Sequence, residues 1–229
     1  MTAAVYDRPS AGSTPGGTRS LGRRGVAALE FAMMAPVLVL LLMFMYDTAN
    51  GWITWQRLTQ AARSVAQIAT LLAVNANGTN TLSYDQAWRA STAAYAAMPE
   101  MLSPGAVYGV VMTEVLFTSP AACGGAMCVA NVAWSKTLLG SAPRRLCGTL
   151  SAVGNTAASS PAVLPQDAFQ SAPVLVVDVT YSFRPLFLGS LVSSIPMAWS
   201  AYLPVRSGAL DQTINYDDPQ AQCLPTPKP

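Results

Sequence analysis

The hydrophobic pattern changes character along one uninterrupted stretch near the start of the chain. From Phe31 to Tyr46, sixteen residues pass without a charge, and Val26 to Leu29 extend the apolar stretch to twenty-one with Glu30 as its one interruption. At 1.5 Å per residue this is about 31 Å of helix, the thickness of a bilayer core. From Asp47 the pattern turns amphipathic. Trp55, Leu58, Ala62, Val65, Ala69 and Leu72 alternate steps of three and four, with Gln56, Arg57, Gln60, Arg63, Ser64 and Gln67 opposite. One helix from Val26 to about Leu72 is expected, beginning in lipid and ending in water. Pro36 removes a backbone hydrogen bond in its apolar half, and Gly51 is a second soft point. The stripe beyond Asp47 is expected to be covered by the chain's own sheet, with neighbouring subunits as the other candidate cover.

Asn75 to Thr81 is a turn-rich break. A second helix is expected from Ser83, which can cap it reciprocally with Gln86, to Met98, where Pro99 stops it; Tyr84, Trp88 and Tyr95 are expected on its buried side. The remainder alternates as strands do. Val107 to Phe117 and Val129 to Lys136 flank a glycine-rich hairpin end. Leu175, Val177, Val179, Tyr181 and Phe183 face away from Val176, Asp178, Thr180, Ser182 and Arg184, the mark of a half-buried strand. Met197 to Val205 is expected last, at a sheet edge because of Pro204. Gly140 to Ala172, rich in Ala, Ser, Gly and Pro, reads as a functional or mobile loop. Residues 1–22 and 217–229 read as disordered. The expected fold class is α+β: a membrane-spanning helix (26–46), its continuation (47–74), an exported domain with a small antiparallel sheet (75–216) and a tail (217–229).

Charge refines this picture. Charged residues make up 10% of the chain, less than half the usual ~25%, as expected if part of it never meets water. Arg8, Arg19, Arg23 and Arg24 precede the apolar run against Asp7 alone. The excess of cations places the N-terminus in the cytoplasm and residues 47–229 outside. A cleaved secretory signal is the competing reading. Against it, the run is longer than a signal core, and no small-x-small site follows. The net charge of +2 offers no field for nucleic acid.

Candidate chemistry is sparse. The absence of histidine removes imidazole-activated nucleophiles, histidine-ligated zinc and histidine proton shuttles. Lys136 and Lys228 follow neither a P-loop glycine pattern nor a Ser-x-x-Lys spacing. Asp217 and Asp218 are adjacent and cannot form a glycosidase pair. No enzyme, metal or cofactor is expected. Arg144 and Arg145 read as a solvated basic pair. Cys123, Cys128, Cys147 and Cys223 all lie on the expected outer side, where an even number reads as disulfides. Three pairings are possible; Cys123 with Cys128 and Cys147 with Cys223 is favoured.

Glu30 needs a partner, since a carboxylate within the span costs roughly 2.5–3.5 kcal/mol on insertion scales. Either Arg23 or Arg24 neutralises it at the headgroup boundary, or the partner comes from elsewhere. The run Arg23-Arg24-Gly25-Val26-Ala27-Ala28-Leu29-Glu30-Phe31 resembles a class III (type IV) prepilin processing site. That resemblance implies a cut by a prepilin peptidase after Gly25, a methylated amino group on Val26, and Glu30 paired with the N-terminal ammonium of a neighbouring subunit. With Ala35-Pro36 and Thr59-Gln60-Ala61-Ala62-Arg63, residues 23–72 resemble the TadE-like family, minor pilins or pseudopilins of tight-adherence (Flp, type IVc) pili. Tyr181-Ser182-Phe183-Arg184-Pro185-Leu186-Phe187 resembles a segment near the end of many members, less specifically. The resemblance implies a pilin-like fold, a structural role in pilus assembly and adhesion, an inner-membrane location with a periplasmic domain, and other pilus proteins as partners. The rival is an unprocessed bitopic protein whose exported domain binds a ligand or an envelope partner.

Overall fold

The computed structural model describes residues 21–73, 81–118, 128–157, 160–170, 172–205 and 214–223, with backbone alone for 21–27, 190 and 215. The chain divides after Met43 into two units, each described by itself.

The first unit is the apolar part of helix α1 (Leu21–Leu72), which runs through Pro36. Gly22 and Gly25, each about 1 kcal/mol worse than alanine in a helix, do not stop it, so it starts five residues before Val26. Leu29, Phe31, Met33, Met34 and their successors are exposed. An 18-residue window here has a mean hydropathy of 2.3, and among the described residues this one helix, near the N-terminus, is long and apolar enough to cross a membrane.

The second unit begins at Phe44 and contains the rest of α1 with β1 (Thr81–Leu82), α2 (Tyr84–Ala97), β2 (Tyr108–Thr118), β3 (Val129–Gly140), β4 (Thr149–Val153), β5 (Val163–Pro165), β6 (Val174–Phe183), β7 (Ile195–Pro204) and β8 (Asn215–Tyr216). Six strands form one sheet in the order β5-β4-β3-β2-β6-β7. The β2–β3, β2–β6, β3–β4 and β6–β7 pairs are antiparallel, and β4–β5 is parallel, as is the separate pair β1–β8. The fold is α+β as expected, with a mixed sheet. β7 lies at an edge, where Pro204 costs no interior ladder bond.

The stripe of α1 is covered by this chain. Leu58, Ala61, Ala62, Val65, Ala66 and Ala69 are fully buried in one cluster with Ala87, Ala90 and Ala94 of α2 and Met112, Val177 and Val179 of the sheet. The Trp55 ring meets Trp199 edge-on, with centroids 5.6 Å apart.

Four expectations change. The buried side of α2 is Ala87, Ala90, Ser91 and Ala94, while Tyr84 and Trp88 are exposed and only Tyr95 is partly covered. The side of α2 that enters the core is thus its small-residue side. Residues 140–172 are not merely a loop: β4, β5 and a 3-10 turn at Gln166–Ala168 cover the second face of the sheet, over Val115, Val132, Val174 and Val176. The strand β6 is therefore buried on both faces at its start, and its expected outward row is covered there. Of the expected tail, residues 217–223 are described and held: Gln222 bridges to Trp134, Cys223 N–H donates to Ala133 O at 2.7 Å, and Ala221 is buried. The α2 start agrees with expectation, with Ser83 and Gln86 forming both halves of a capping box. The hairpin end between β2 and β3 lies largely outside the described residues.

Candidate functional site

The sequence singles out the start of α1. Gly25 and Val26 lie within the helix, whose side chains are described from Ala28 onward, and Glu30 follows on the next turn with its side chain exposed. Among the described residues Glu30 forms no ion pair. Arg23 and Arg24 lie in the stretch described by backbone alone.

At the other end of the apolar run the geometry is tightly built. Asp47, the first charge after the run, is 4% exposed. Its carboxylate accepts three backbone N–H bonds, from Leu186 at 2.9 Å, Phe187 at 3.0 Å and Leu188 at 2.8 Å. The Phe187 ring meets Tyr46 edge-on with centroids 5.5 Å apart. Charge-assisted bonds of this kind are roughly twice as strong as neutral ones. Two of the three residues so held, Leu186 and Phe187, end the Tyr181–Phe187 string that the sequence marked, but their engagement with Asp47 carries no local signal. A cleft of about 390 Å³ opens beside this joint, lined among others by Asp47, Asn50, Arg57, Glu100, Tyr181 and Arg184. Arg57 pairs with Glu100 there, whose second carboxyl oxygen is buried without a partner.

Three further polar constellations lie inside the second unit. Arg145, expected in solvent, is buried and grips Asp178 in bidentate fashion, through Nε at 2.7 Å and Nη2 at 2.8 Å, while Nη1 donates to Val163 O at 2.7 Å. Ser200 also donates to Asp178. Burial alone would favour a neutral guanidine, yet the hydrogen bond and charge of Asp178 hold the Arg145 pKa above its ordinary value. Arg144 remains exposed and donates to Gln220 O at 3.3 Å. Glu114, fully buried on β2, accepts from Trp134 Nε1 at 2.8 Å and from Ile214 N–H at 2.6 Å. Burial pushes its carboxyl up to about 8 against the pull of these two donors. Lys136 pairs with Asp218, which holds that carboxyl below the ordinary aspartate value. Sequence reading missed all three, because each joins residues far apart in the chain.

Cys147 and Cys223 form a disulfide with Cα atoms 5.1 Å apart, joining the segment before β4 to the tail. Cys128 is disulfide-bonded as well, and Cys123 lies outside the described residues. Among the described residues no group of three or more His, Cys, Asp or Glu is placed to hold a metal ion.

Arg145 with Asp178, Glu114 with its two donors, and Lys136 with Asp218 are thus paired within the second unit, whereas Glu100 Oε2 and the Tyr216 hydroxyl are buried without a partner. No curated protein and no solved structure matches the chain. Residues 25–67, from Gly25 through the apolar run into the buried stripe of α1, match the model of the family described as TadE-like protein, and over this segment the chain is similar to that family.

Proposed function

We propose that the chain is a minor pilin or pseudopilin that acts structurally in the assembly of tight-adherence (Flp, type IVc) pili and in surface adhesion. The observation that carries this reading is the family match itself, which begins at Gly25 and takes in Glu30 and the apolar run. In this reading residues 1–25 are a cytoplasmic leader removed by a prepilin peptidase, residues 26–46 cross the inner membrane, and the rest of the chain is periplasmic. The leader carries four arginines and one aspartate, so its loss takes side-chain charge from +2 to −1. The basic excess then belongs to the part that holds the N-terminus inside, and is not needed afterwards.

Residues 21–25 continue α1 in the intact chain. Cutting after Gly25 makes Val26 the helix start and adds an ammonium to the positive end of the helix dipole. Glu30 of a neighbouring copy would answer that charge when helices leave lipid for a bundle, and would set their axial register, since an unpaired carboxylate there is costly. The bilayer stores the subunit; the bundle replaces lipid contacts with helix contacts.

Intact mass of the protein extracted from membranes tests the processing step. The expected species lacks residues 1–25 and carries a methyl group on Val26, and Gly25→Val abolishes the shift. A mature chain of full length would overturn the processing. Separately, Gly25→Val and Glu30→Val are each expected to reduce surface piliation; unchanged piliation in both would sink the assigned roles.

A further inference from the structure

We propose that the segment Leu186–Ile195, which links β6 to the first residue of β7, is seated in the headgroup layer of the bilayer that α1 crosses, as a second membrane contact beside the helix. The proposal rests on the membrane-spanning reading of residues 26–46 and adds to it a surface of the second unit.

Its position follows from the Asp47 joint. Asp47 ends the uncharged run, and the N–H groups of Leu186, Phe187 and Leu188 lie within 3.0 Å of its carboxylate. The interfacial layer on each side of a bilayer is about 5–8 Å deep. A segment hydrogen-bonded to the residue at the edge of the span therefore lies in or against that layer. Its composition fits. No charged residue occurs between Arg184 and Arg206. Leu186 is 70% and Leu191 80% exposed, and Phe187, Val192 and Ile195 are exposed as well. Leaving such a patch in water is unusual for a small soluble surface.

The backbone fits too. Asp47 satisfies three successive N–H groups, and Leu191 and Val192 both donate to Leu188 O, at 2.9 and 2.8 Å. Unsatisfied backbone groups are what make irregular chain costly near lipid, and here five are already paired. Tyr46 and Trp52, both exposed on α1, add aromatic side chains of the kind enriched at the membrane–water boundary. The occupant is accordingly the lipid interface, with which the segment is continuous through α1, and not a second protein.

The test uses the full oxidised chain in vesicles of phosphatidylethanolamine and phosphatidylglycerol, with an NBD fluorophore on Leu191→Cys, Leu40→Cys or Ser151→Cys in separate preparations. Both Leu191 and Ser151 are exposed, so labelling disturbs no packing. The expected result is a blue-shifted Leu191 probe quenched by headgroup-level nitroxide lipid and protected from aqueous iodide, a Leu40 probe quenched by deep nitroxide, and a Ser151 probe open to iodide. Iodide quenching at Leu191 equal to that at Ser151, with Leu40 still in lipid, overturns the proposal while leaving the spanning helix intact. Protection of Leu191 from both quenchers means protein covers the segment, and overturns it equally. A Leu40 probe open to iodide removes the membrane reading, and the proposal falls with it.

Discussion

Glu114 shows how one side chain can govern the pH response of this fold. Its carboxyl is buried between Trp134 and Ile214, and burial raises its pKa from the ordinary 4.5 to about 8. The folded state therefore holds the proton more tightly than the unfolded chain. Stability from this group is fully present below pH 4.5 and is lost as pH rises to about 8. With no histidine in the chain, no side chain of ordinary pKa competes in that window. The melting temperature of the full chain in detergent is expected to fall between pH 5 and pH 8, at no more than about 1.4 kcal/mol per pH unit. Glu114→Gln is expected to lose one acceptor and some stability at pH 5, but to melt with little pH dependence. A slope surviving that substitution would place its origin elsewhere. Nothing near Glu114 in the sequence announces this, since it stands in a run of β-formers and its donors are 20 and 100 residues away. Arg145 was equally illegible: beside Arg144 it looks like a solvated pair, and only the approach of Asp178 across 33 residues shows that it is buried.

Among the elements, α1 was the most legible, because both its apolar run and its stripe repeat at helical spacing over many turns. The identity of the stripe's cover was not. Leu58, Ala62, Val65 and Ala69 would suit a sheet or a neighbouring helix, and the structure buries them under the chain's own α2 and β strands. Ala66→Leu is expected to overpack that contact and cost about 1–3 kcal/mol, whereas Gln67→Leu on the exposed side should stay within about 0.5 kcal/mol. Melting curves of the two variants in detergent check this, and equal effects would mean the stripe is not packed within the monomer. The helix α2 was legible at its ends, through Ser83 with Gln86 and through Pro99, but not in its orientation. Large aromatic residues suggest a buried face, yet the side that enters the core is the one carrying Ala87, Ala90, Ser91 and Ala94. Residues 140–172 looked structureless because β4 and β5 are short and lack a strong alternation; their strand form comes from the sheet they join.

At the scale of the molecule, the Cys147–Cys223 disulfide ties the cover of the second sheet face to the end of the described chain across a separation of 76 residues. Closing a loop of that length is worth roughly 4 kcal/mol in the chain-entropy model. Reduction, or Cys147→Ser with Cys223→Ser, is expected to lower the denaturation midpoint and to speed hydrogen exchange around Ala221 and Cys223 first. Unchanged exchange there would show that Gln222 and Cys223 are held by their backbone bonds to β3 alone. By itself the sequence determined a membrane-compatible helix, where that helix becomes amphipathic, most strands, and the resemblance of residues 23–72 to the TadE-like family, because these are periodic or contiguous and need no partner to be seen. Only the tertiary structure decided which face of α2 is buried, how both faces of the sheet are covered, and that Asp47 binds Leu186–Leu188. Those outcomes depend on groups brought together from distant parts of the chain, where side-chain size and unsatisfied hydrogen bonds, not local pattern, select the arrangement.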